Sequence, residues 1–103
     1  MSWYNGEEHF NRLFEEKDSF LASFTDPECG PCFRLKAQLK RLVKDIEISL
    51  VEINVREERD IFEAKYGYTG TPIVILVREK EVLKTWFGYH GRNRYRRDIE
   101  ELL

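Results

Sequence analysis

Cysteine is scarce here: there are two in 103 residues, Cys29 and Cys32, in the tetrapeptide Cys29-Gly30-Pro31-Cys32. One lone pair reads as catalytic or metal-binding rather than as a structural staple. Histidine is equally scarce. His9 and His90 are the only other strong ligand candidates, and they lie far apart without a paired-ligand spacing. Structural zinc normally takes four ligands, so no metal site is expected. Net charge is nearly absent: 17 Lys+Arg against 19 Asp+Glu leave a formal −2. No polyanion attraction follows, so nucleic acid is not an expected partner. No stretch approaches the roughly 20 apolar residues of a membrane span, so no membrane partner is expected. Met1 to Phe10 has neither a basic n-region nor an apolar run, which argues against a signal peptide and for a cytoplasmic protein. Repeats, low-complexity segments and linkers are missing as well. The expectation is a single domain over residues 1–103.

What is present supports a globular fold, with 42% hydrophobic and 14% aromatic residues. Phe10, Leu13 and Phe14 recur at helical spacing and predict a first helix over Asn5 to Lys17, broken by Asp18 and Ser19. Phe20 to Thr25 reads as a buried strand, followed by a turn at Asp26-Pro27. From Pro31, Leu35, Leu39, Leu42, Val43 and Ile46 form one apolar stripe of a long helix with a basic outer face. Ile48 to Val55 reads as a strand. Glu57 to Tyr66 reads as a helix capped by Gly67. The unbroken run Ile73 to Val77 suits a central strand covered on both faces, and Val82 to Phe87 is its hairpin partner. Asn93 is the expected cap of a last helix carrying Ile99, Leu102 and Leu103. The order predicts a mixed sheet of four strands between helices, a three-layer α/β sandwich.

The dithiol lies between a strand end and a helix start. Unpaired N–H groups there favour an anion, so the first thiol ionises below the roughly 8.5 of a free cysteine. On this reading Cys29 is the exposed attacking thiol and Cys32, one turn inward, the resolving thiol. Gly30 permits a tight turn, and Pro31 suits the first helical turn, where its missing N–H had no helical partner. Thr71-Pro72 opens the strand at Ile73. A cis proline there would leave backbone groups exposed, although proline statistics alone favour an ordinary trans loop proline.

Cys29-Gly30-Pro31-Cys32 before a helix, Gly70-Thr71-Pro72 about forty residues on, and Gly88 after a hairpin strand together resemble the thioredoxin family. The match covers nearly the whole chain. The resemblance implies that Cys29 is the nucleophile, Cys32 the resolving thiol and Pro72 a cis-proline beside them. Thr71 would then supply backbone hydrogen bonds to an extended substrate segment, and Gly88 would keep the same surface open. It implies a thiol–disulfide oxidoreductase that reduces protein disulfides, a thioredoxin-reductase-type electron donor, a monomer and no cofactor beyond the redox-active disulfide. The competing class is a non-catalytic adaptor or redox sensor that docks a partner through the Pro72 face. A glutathione-using enzyme is disfavoured, since that group usually has another dipeptide between its cysteines.

The chain departs from the family pattern in four places. Glu28 replaces the tryptophan that usually precedes the first cysteine. Ser23 stands where thioredoxins bury an aspartate, and Glu52 where they place a lysine on the next strand. The paired change suggests that Glu52 takes over proton transfer at Cys32; the alternative is that Glu52 points to solvent. Ala37 replaces a mid-helix proline, implying a straighter helix. The family's first strand is expected to be short or absent. Phe87 and Tyr89 read either as strand and loop aromatics or as a sticky rim, and the arginines at 92, 94, 96 and 97 as a solvated face or, alternatively, as a face for an acidic partner.

Overall fold

The computed structural model describes residues 3–16, 19–26, 28–57 and 70–103. Among the described residues eight elements succeed one another. They are β1 (Trp3–Asn5), α1 (Glu7–Glu15), β2 (Phe20–Thr25), α2 (Gly30–Ile46), β3 (Ser49–Asn54), β4 (Ile73–Arg78), β5 (Glu81–Phe87) and α3 (Arg92–Leu102). One mixed sheet runs β1-β3-β2-β4-β5. β1, β3 and β2 are parallel, β4 is antiparallel to β2, and β5 is antiparallel to β4.

Alternation along the strands assigns the two faces. Ala22, Phe24, Val51, Ile53 and Ile75 pack against Phe10 and Leu13 of α1. Leu21, Leu50, Val74 and Leu76 pack against Leu35, Leu39 and Leu42 of α2 and against Tyr95 and Ile99 of α3. The apolar stripe read from the sequence is therefore the inner face of α2. Each fully buried leucine there contributes roughly 1.5–3 kcal/mol. β4 is buried on both faces because it lies between β2 and β5 with helices above and below.

Three expectations are corrected. The sheet has five strands, not four, because Trp3 to Asn5 pairs in parallel with Leu50 to Glu52. Consequently α1 starts at Glu7 and not at Asn5, after Gly6 bends the chain at φ 93°. Three residues are too few for a periodicity signal, so only pairing with β3 reveals β1. The last helix begins at Arg92, with Gly91 as its N-cap and no side-chain cap, so Asn93 does not cap it. Asp18, Pro27 and the helix expected over Glu57–Tyr66 with its Gly67 cap lie outside the described residues, apart from Glu57, which sits in a turn.

The topology gathers the chemistry at one end of the sheet. Ile73 pairs with Phe24 and with Phe87. Pro72, Gly88 and the loop leaving β2 toward α2 therefore share the sheet end from which the dithiol emerges.

Candidate active site

β2 hands the chain to α2 through a tight connection. The N–H of Cys29 donates to the Asp26 carbonyl at 2.9 Å, which turns the backbone just before the helix. Cys29 is the N-cap of α2, and its Sγ accepts the N–H of Cys32 at 3.3 Å. Sulfur thus occupies the position where a serine or aspartate oxygen usually satisfies a free N–H. Cys29 and Cys32 are disulfide-bonded with Cα atoms 5.3 Å apart. Cys29 is half-buried, whereas Cys32 is only 4% exposed. The accessible sulfur is the first of the pair, at the helix N-cap, and the covered one is the second.

Gly30 is the first residue of α2, with open space where a Cβ would stand. Its φ is not in the left-handed region. The tight turn expected of Gly30 is therefore not what it provides; it leaves the surface beside Cys29 bare. Pro31 lies in the first turn of α2, where its missing N–H costs nothing.

The Thr71–Pro72 peptide bond is cis. The Pro72 carbonyl accepts the Gly88 N–H at 2.9 Å. Gly88 has φ 79°, a conformation that L side chains adopt only at a cost of roughly 1–2 kcal/mol. Gly70 is exposed with open space beside it. Gly30, Gly70 and Gly88 thus leave open space around one sheet end, whereas Pro72 is itself buried.

Glu52 is placed by register. It pairs with Ser23 across β2 and β3, on the face toward α2. Its side chain is 17% exposed and lies 3.6 Å from Lys36 Nζ, one turn along α2 from Cys32. Glu52 also lines a hollow of about 180 Å³ with both cysteines, Thr25, Asp26, Phe33 and Asn54. The solvent-pointing alternative is not what the structure holds. Ser23, at the usual aspartate position, is 2% exposed, and its Oγ has no partner among the described residues.

Asp26 adds a feature not foreseen in the sequence. Its Oδ1 accepts the Glu28 N–H at 2.9 Å and Arg56 Nε at 2.8 Å. Arg56 Nη2 also donates to Glu28 Oε2 at 2.7 Å. The backbone N–H of Glu28, then Arg56, hold the Asp26 carboxyl below its ordinary value, and Asp26 in turn raises that of Arg56. The acid that replaces the family tryptophan is thereby tied to a cation, while Asn54 fixes the start of the Arg56 segment through the Arg56 N–H at 2.9 Å.

On the other side of the dithiol, Gly30, Pro31, Arg34 and Tyr89 line a second hollow of about 460 Å³. Phe33, Phe87 and Tyr89 are 82%, 63% and 42% exposed, so three large aromatics face solvent around the motif. Phe87 and Tyr89 were candidates from the sequence. Phe33 was missed, although a signal existed: it lies two positions from Leu35, off the apolar stripe, where an aromatic must be exposed. Trp86 is core, and its Nε1 donates to Asp98 at 2.8 Å, which holds that carboxyl below its ordinary value. Arg94 and Arg97 lie 3.7 and 3.6 Å from Asp98, and Arg96 pairs with Asp45, so much of the arginine-rich face is internally matched.

Comparison with known proteins agrees with this geometry. The family model described as Thioredoxin matches residues 2–101. The chain is 35% identical over 100 residues to NADPH-dependent thioredoxin reductase 3 of Arabidopsis thaliana, covering 94% of this chain but only 19% of that protein's length. It is 31% identical over 71 residues to the thioredoxin of Bacillus subtilis, covering 67% of each chain. Among solved structures, a mutant thioredoxin from Halobacterium salinarum superposes with a TM-score of 0.86 at 24% identity, covering 97% of this chain and 88% of that one.

Proposed function

The chain belongs to the thioredoxin family, and on that premise we propose that it reduces disulfides of other proteins. Its Cys29–Cys32 pair is a thiol–disulfide exchange centre. In the reduced protein the Cys29 thiolate attacks one sulfur of a substrate disulfide. A mixed disulfide forms and the first substrate thiolate leaves. Cys32 then loses its proton and attacks Cys29 Sγ, releasing the second substrate thiolate. The Cys29–Cys32 disulfide is regenerated, and two electrons have passed to the substrate. A thioredoxin-reductase-type donor returns them. No cofactor beyond the dithiol is needed, and the protein works as a cytoplasmic monomer, where a reducing pool keeps the pair cycling.

Burial decides the division of labour, and it is the observation that carries this reading. Cys29 is half-buried at a helix N-cap and Cys32 is 4% exposed beneath it. Thr71 would offer its backbone at the sheet end it shares with the dithiol, and Gly70 and Gly88 leave open space there. A substrate strand laid there would find free peptide groups. Glu52 is the base that receives the Cys32 proton, because it lines the same hollow as both sulfurs and Ser23 has no acidic function. Lys36 holds Glu52 in place.

Turnover of insulin disulfides with a small dithiol as donor tests the function. The expected outcome is catalysis that disappears in Cys29→Ser. Absence of turnover with either a small dithiol or an enzymatic donor would favour the adaptor class.

A further inference from the structure

We infer that the face running from the dithiol along α2 to the start of α3 is a docking groove for an acidic, extended segment flanking the substrate's disulfide. The inference rests on the proposed reductase reading and adds a substrate class to it. Two hollows make the groove. The first, about 460 Å³, is lined by Gly30, Pro31, Arg34 and Tyr89; the second, about 320 Å³, includes Gln38, Arg41 and Arg92. Gln38 Nε2 donates to the Tyr89 hydroxyl, which joins the two hollows.

Helical spacing explains why the charges align. Arg34, Gln38 and Arg41 stand at i, i+4 and i+7 on one face of α2, away from the leucine stripe. Arg92 opens α3, whose first turn carries no side-chain cap and no acid, so the positive end of that helix adds to the same field. None of these three arginines makes an ion pair with another described residue. Their neighbours behave differently: Arg94, Arg96, Arg97 and Lys36 all have carboxylates. Unmatched cations beside an exposed aromatic fit Asp and Glu side chains on a strand that crosses the dithiol. The far side of the motif sets three acids, Asp26, Glu28 and Glu52, against two cations, Arg56 and Lys36, and so offers the same acids no unmatched cation. A substrate would therefore be read in one orientation, with its acids toward α3. The whole chain has a net charge of −2, so general attraction of an acidic peptide is not expected.

Two synthetic peptides that share one internal disulfide test this, one flanked by glutamates and the other by lysines. Reduction rates are measured with the full chain at about 0.01 M and about 1 M salt, where the Debye length is about 30 Å and about 3 Å. The glutamate peptide should react about tenfold faster at low salt, and the preference should vanish at high salt. Arg34→Glu, Arg41→Glu and Arg92→Glu combined should reverse it, whereas Arg78→Glu, at the opposite end of β4, should not. Equal rates, or a preference that survives the triple reversal, overturn the groove. Reduction of neutral hydroxyethyl disulfide separates the two readings. If that also fails, the reductase reading fails and the groove is judged by binding alone. Calorimetry with Cys29→Ser/Cys32→Ser protein should then show salt-dependent binding of the glutamate peptide, lost on triple reversal; no binding overturns it.

Discussion

The two sides of the dithiol differ in how their charges are matched. On the β3 side, Asp26 and Glu28 share Arg56, and Glu52 has Lys36. On the α3 side, Arg34, Arg41 and Arg92 have no carboxylate among the described residues. The closed side is built to hold a geometry: the backbone before Cys29 and the Glu52 carboxylate in the hollow it shares with both sulfurs. The open side is free to meet something else. The same few charged residue types produce both, so the distinction lies in which ones the fold brings within reach of an opposite charge.

The largest effect should come from breaking the closed side at Glu52. Glu52→Gln keeps the shape but removes the carboxylate proposed as the base. Release of the mixed disulfide should slow about tenfold or more at neutral pH, and its rise with pH should move toward that of an unassisted thiol. A variant with the parent's rate and pH profile would remove Glu52 from the mechanism. Next comes Arg56→Glu, which leaves three unmatched carboxylates beside the motif. The Cys29 thiolate should be disfavoured, so that alkylation moves to higher pH. An unchanged profile would mean that the clamp shapes the loop without acting on the thiol.

The clamp also has a pH signature. Asp26 is held below its ordinary value in the fold, so its contribution to stability is present above its unfolded value of about 4. It is lost as pH falls through the lower folded value. Asp26→Asn should therefore flatten the acid limb of a stability-versus-pH curve, and parallel limbs would contradict the clamp.

Gly88 follows β5, and its φ of 79° makes Gly88→Ala a test of strain, not of space. A cost of roughly 1–2 kcal/mol in denaturant unfolding is expected. No loss would place the strain elsewhere. The smallest effect belongs to the open side, where Arg92→Ala should slow reduction of acidic peptides about twofold to threefold at low salt only. An equal loss at high salt would assign Arg92 a structural role.

Much of this was legible in the chain. The stripe Leu35, Leu39, Leu42, Val43 is periodic because α2 buries one face, and Ile73 to Val77 is unbroken because β4 buries two. Both patterns are local consequences of which surface leaves water. Cys29, Cys32, Pro72 and Gly88 were legible for a different reason, a spacing that resembles a known family. β1 was expected only as a strand short or absent, because three residues hydrogen-bonded to β3 leave no repeat to detect. The cap of α3 was misplaced, since Gly91 caps it by conformation and not by a side chain.

Sequence alone therefore settled the features that nearest neighbours and period encode: the helices and central strands that flank the motif. Tertiary structure decided the electrostatics. Arg56 lies thirty positions from Asp26 and Lys36 sixteen from Glu52, yet each meets its acid, while Arg34, Arg41 and Arg92 do not. Charge pairing depends on distances of a few ångströms between residues remote in the chain, and no periodicity encodes those distances.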